Sequence, residues 1–191
     1  AWFNQGLFEG RWINEALAEE FAALAMVDLG MERPVPDGAP GPGQPLNEWG
    51  NPTLDAPETD EREAHGYAAS WWVARTLVEE IGPEAMADVV QAAAAQRSPY
   101  AAATSDDRLR RVADWRTFLD LLQEVGGSAD AEQVFRDLVV APSEVPLLDE
   151  RAAAREAYAR LVAAGGGWAP PACVRGPMAD WDFAAATAAM P

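Results

Sequence analysis

An all-α fold, an irregular bundle of helices, is what this sequence predicts, and three observations lead to it. Apolar residues recur with a period near 3.6 over several long stretches. Alanine, which propagates helix without losing side-chain entropy, supplies much of an apolar content of 49%. No stretch sustains the period-two alternation with β-branched residues that a strand requires.

The first helix is expected from about Arg11 to Asp28, with Ile13, Leu17, Phe21 and Leu24 on one stripe and Gly30 and Pro34 ending it. Residues 30–58 are rich in proline and glycine and hold few apolar groups. They predict a long surface loop, ordered only where Leu46 and Trp49 can pack. A second helix runs from about Asp60 to Glu80, its apolar members including Trp71, Trp72, Leu77 and Ile81. Gly82-Pro83 closes it and starts a third, to about Gln96, with proline where its missing donor costs nothing. Asp114 is placed to cap a helix carrying Phe118, Leu121, Leu122 and Val125, ended by Gly126-Gly127. Ser128 or Asp130 caps the next, which turns Val134, Phe135 and Leu138 inward. Pro142 and Pro146 bracket a turn, and another helix follows to about Ala164, stopped by three glycines. A last short helix is expected over Pro177 to Ala189. Residues 1–100 and 101–191 are read as two successive regions, the second a helical tail.

Charge and composition exclude several roles. The net charge is −17 over 191 residues, lysine is absent, and the arginines form no basic stripe of the kind a nucleic acid needs. No apolar run approaches the roughly 20 residues of a membrane span. One cysteine, Cys173, allows no internal disulfide.

The stretch richest in chemistry is the first: Ala1-Trp2-Phe3-Asn4, followed by Trp12-Ile13-Asn14-Glu15-Ala16 and Leu17. It resembles the gluzincin zinc metallopeptidases of the aminopeptidase N kind. In these, an HExxH helix is followed at once by x-W-F-G/N and then by a helix opening W-L-N-E-G. The resemblance implies that Glu15 is the third zinc ligand of the intact domain. On this reading a second helix must approach closely, and Ala18 and Ala22, on the face of Glu15, leave room for it.

A second match lies downstream. Tyr67 precedes an apolar helix and Gly82-Pro83-Glu84, as the family's catalytic tyrosine precedes its G-x-E. The resemblance implies that its hydroxyl donates to the oxyanion of the tetrahedral intermediate. Asp114-Trp115-Arg116-Thr117-Phe118-Leu119 is similar to the family's D-W-x-x-F-L helix start, and beyond about Val140 the likeness is only a helical pattern.

The chain departs from the family pattern as well. HExxH, with both zinc histidines and the general-base glutamate, is not in it, nor is the G-x-M-E-N strand. Ala16 replaces a glycine, Glu20 stands where an aromatic is common, and Tyr67 lacks the following lysine and glycine. The expectation is therefore a fragment of a zinc-dependent peptidase acting on peptides. It would complete a site with an HExxH-bearing part, bind no zinc alone and be inactive as given. The competing expectation is a non-catalytic helical interaction domain.

The remaining candidates read as structural. His65, with Glu61 at i−4, suggests a surface ion pair or cap contact rather than a metal site. Glu19 reads as solvated, the tryptophans as core or joint residues, and Cys173 as an inert buried thiol.

Overall fold

The computed structural model describes residues 6–36, 38–41, 43–52, 59–103, 105–109 and 111–190. Among these residues the chain is all-helical, with eight α-helices and no strand. They are α1 (Arg11–Asp28), α2 (Thr59–Ile81), α3 (Pro83–Ala94), α4 (Trp115–Glu124), α5 (Ala131–Val134), α6 (Val145–Ala164), α7 (Ala172–Asp180) and α8 (Phe183–Ala188).

α1 has no side-chain cap. Its N-cap, Gly10, has φ 104°, a backbone state that costs glycine nothing. The segment before it is tied to the start of α4 by a bridge between Phe8 and Ala113, with the Glu9 N–H donating to the Ala113 carbonyl at 2.8 Å. α1 packs on α2 and buries Trp12, Ile13, Ala16 and Leu17 in one core cluster with Ala69, Val73 and Leu77 of α2 and Phe118, Leu121 and Leu122 of α4. Trp12 meets Phe135 edge-on, ring centroids 5.6 Å apart. This core draws on residues from Phe8 to Leu148, so it runs without a break across residue 100. A smaller cluster of Tyr100, Ala154, Val174, Met178 and Phe183 joins α6, α7 and α8.

The caps explain the joints. Asp114 accepts from the Arg116 and Thr117 backbone N–H groups at the start of α4. Ser128, not Asp130, caps α5 by accepting from the Ala131 N–H at 3.0 Å. Glu80, at the end of α2, accepts from the Ala129 and Asp130 N–H groups there. Phe135–Val139 continues α5 as a π turn.

The end of the chain differs from the expected single helix over Pro177 to Ala189. Pro177 lies inside α7, which starts at Ala172, and the chain breaks at Trp181, whose φ is 58°. The Trp181 indole is held by Asp120, Arg151, Trp115 and Phe183, and that packing outweighs the cost of a left-handed non-glycine residue. Asp182 then caps α8.

Within the expected loop the described residues are irregular apart from a short 3₁₀ turn at Leu46–Glu48. Leu46 and Trp49 are buried, and these two anchor the loop to the core. Trp49 lies on α2 at Gly66, where a Cβ would come within 2.1 Å of the indole. Gly66→Ala is therefore expected to lower stability by about 1–3 kcal/mol through overpacking, although alanine is the better helix former by about 1 kcal/mol. Gly176→Ala in α7, where a Cβ meets nothing within 4 Å, is the matched control, expected to be neutral or stabilising. Urea denaturation of the two variants compares them, and equal stability would contradict the Trp49 packing.

Candidate functional site

α1 and α2 pack against each other, and each carries a line of residues at i, i+4 and i+8. Arg11, Glu15 and Glu19 lie on α1, with Glu63, Tyr67 and Trp71 on α2. Arg11 organises the N-terminal end of this helix pair. Its Nη1 donates to Glu63 Oε1 at 2.8 Å and to the Gly50 carbonyl at 3.1 Å. Its Nη2 donates to Glu63 Oε2 at 2.6 Å and to the Tyr67 hydroxyl oxygen at 3.0 Å. The guanidinium lies 4.1 Å from the Trp49 ring centroid and 5.2 Å from that of Tyr67. Trp49 Nε1 donates to Glu63 as well, at 2.9 Å.

This pair is bidentate and charge-assisted, the stronger kind of side-chain hydrogen bond. Hydrogen bonds from Arg11 hold the Glu63 carboxyl below its ordinary range against the cost of burial, with Trp49 adding to the effect. The same pair raises the Arg11 pKa, so the guanidinium stays charged.

Arg11 also reaches both residues that the sequence singles out. Tyr67 accepts its hydrogen bond, and Glu15 Oε1 is 3.8 Å from its Nε. These two residues, far apart in sequence, thus meet one guanidinium, Tyr67 at its Nη2 and Glu15 near its Nε. Because a guanidinium has no acceptor, the Tyr67 oxygen accepts a hydrogen bond from it, and its own O–H donates to no described residue. The Tyr67 residue is 40% exposed and the Glu15 side chain 36%, so each can meet a ligand. Glu15 sits one turn inside α1 rather than in its first turn. Ala18 and Ala22, on the same face, are exposed.

Further along the helix pair, Glu19, Val35, Pro36, Ala64, Tyr67 and Trp71 line a cavity of about 320 Å³. Below it Glu20 is fully buried, accepting from Trp71 Nε1 at 3.0 Å and from Arg33. The glutamate that stands where an aromatic is common thus clamps the chain after α1 onto the α1–α2 pair. Arg75 assists by donating to the Pro34 carbonyl at 3.2 Å.

Sequence reasoning missed Arg11 and Glu63, and their i, i+4 spacing to Glu15 and Tyr67 was the available signal. It also missed a second polar centre. Asp120 and Arg151 are both fully buried, joined by Nε–Oδ1 and Nη2–Oδ1 contacts of 2.8 and 2.6 Å. Tyr100 and Trp181 donate to the same carboxylate. Burial, reinforced by the Asp120 charge, pushes the Tyr100 phenol well above its ordinary pKa. Every polar group there is matched inside the fold, which makes it a structural joint of α4, α6 and the α7–α8 link.

Two other residues lie differently from expectation. His65 packs its imidazole against Gly43 and enters none of the ion pairs among the described residues. Cys173 is exposed, because α7 turns it outward while Val174 and Met178 take the core positions.

A catalytic zinc takes three protein ligands. The Glu15 carboxylate is accessible enough for one such position and makes, among the described residues, only the long contact to Arg11. Among the described residues no three His, Cys, Asp or Glu side chains converge on one point. Comparison of the chain with protein-family models, with curated proteins and with solved structures finds no match.

Proposed function

We propose that this chain is the part of a gluzincin-type zinc peptidase that follows the HExxH helix, and that its substrates are peptides. The supporting observation is the Arg11 cluster, which brings Glu15 and Tyr67 to one guanidinium although residues 29–58 separate their helices. Glu15 would be one metal ligand, and the two histidines would come from another segment. Zinc supplies Lewis-acid and water-activating chemistry when bound. Tyr67, its oxygen fixed by Arg11, donates its O–H to the developing oxyanion. Glu63 keeps Arg11 in place for that task.

The test is metal binding in the protein that carries both HExxH and this chain. Glu15→Gln is expected to weaken zinc binding by more than the roughly 10–100-fold that outer partners contribute. Equilibrium dialysis against a zinc buffer measures it, and unchanged affinity would remove Glu15 from the ligand set. The coding sequence directly upstream of Ala1 is a cheaper check: H-E-x-x-H there supports the reading, and its absence overturns it.

One observation favours a second reading, a helical interaction module. Val27, Leu29, Met31 and Val35 are exposed within one short stretch at the end of α1, an apolar run of the kind that partner proteins cover.

A further inference from the structure

We infer that the groove beside Tyr67 is a binding site for an organic cation, with Glu19 as its counter-ion. The inference rests on the peptidase reading only for the origin of the ligand, a peptide. The cavity itself stands on its own geometry.

Its walls are aromatic and aliphatic: the Tyr67 and Trp71 rings, Ala64, Val35 and Pro36. Into this lining comes one carboxylate, Glu19, which makes no hydrogen bond or ion pair with any described residue. The arginines described on α1, on α2 and after α1 that bond across this part of the fold are committed elsewhere. Arg11 is paired with Glu63, Arg33 with Glu20, and Arg75 with Glu79. The Trp71 N–H is likewise taken by Glu20. Among the described residues that line the groove, Glu19 is therefore a single unneutralised negative charge beside aromatic rings. That combination attracts a cation carrying an apolar stem, by ion pairing at one end and ring contact along the other. The volume, about 320 Å³, suits one side-chain-sized group. The net charge of −17 adds long-range attraction for cations and opposes acidic ligands.

Two parts of a peptide have this chemistry, a lysine or arginine side chain and the N-terminal ammonium. Three small probes separate them. N-acetyl-arginine amide carries only the side-chain cation, leucine amide only the ammonium, and N-acetyl-leucine amide neither. Each is titrated into the metal-free chain while the backbone amide shifts of Ala64 and Ala68 are followed by NMR. At least one cationic probe is expected to bind, more weakly at higher salt, while the neutral probe does not. Glu19→Gln should weaken that binding about tenfold or more. Glu84→Gln, an exposed site on α3, should leave it unchanged. The identity of the binding probe tells which peptide group is taken. Equal binding of the neutral probe, indifference to Glu19→Gln, or no shift with any probe overturns the inference. No metal is present in this experiment, so its failure is distinct from a failure of Glu15→Gln to affect zinc.

Discussion

Arg151→Met is expected to lower the unfolding free energy by about 3–5 kcal/mol, the usual cost of removing one partner from a buried pair. The variant leaves the Asp120 carboxylate fully buried, with only the Tyr100 hydroxyl and the Trp181 indole as donors. It also strips Glu132 and Gln123 of their contacts with Arg151 at 3.0 and 2.6 Å. Asp120→Leu together with Arg151→Met should recover much of the loss, because the two charges are then removed together and their desolvation cost disappears. Urea denaturation of the wild type, the single variant and the double variant measures both effects. A single variant within about 1 kcal/mol of wild type, the range of exposed ion pairs, would show that the pair is solvated.

Tyr67→Phe is the second large effect, and it belongs to catalysis. In the zinc-loaded peptidase, loss of one oxyanion donor is expected to lower kcat about 100–1000-fold with KM little changed. The stability cost should be small. The hydroxyl makes one hydrogen bond, to Arg11 at the surface, worth about 1 kcal/mol or less. The ring keeps its edge contact with Trp49 at 5.0 Å. A purely structural tyrosine would show the reverse pattern: a shifted denaturation midpoint and an intact kcat. Peptide hydrolysis and denaturation of the same variant separate the two. An unchanged kcat would take Tyr67 out of the reaction.

The candidate site was partly legible in the sequence. Glu15 and Tyr67 stood out because they sit inside local patterns, Trp12-Ile13-Asn14-Glu15 and the run from Tyr67 to Gly82. The i, i+4 spacings set Arg11 beside Glu15 and Glu63 beside Tyr67, but nothing local joins the two pairs, because the bonds of Arg11 to Glu63 and Tyr67 cross the long loop. Glu19 and Glu20 show the same limit. They are adjacent acidic residues on one helix, yet one lines an accessible groove with no partner among the described residues and the other is fully buried against Trp71 and Arg33. Which is which follows from where α2 and the Arg33–Pro36 segment come to rest.

What the sequence by itself determined is local and periodic. The all-α class, the extents of α1 and α2, the Asp114 cap and the glycine stops after α4 and α6 follow from propensity, from a 3.6-residue apolar period and from capping chemistry within a few residues. The tertiary structure alone decided three things. It buried Asp120 with Arg151, it broke the last helix at Trp181, and it gathered Glu15 and Tyr67 around Arg11. Each depends on contacts between residues distant in the chain. A charged or aromatic side chain in a helical pattern carries no mark of its partner, because the free energy of such a contact is set by the desolvation and geometry of both groups together.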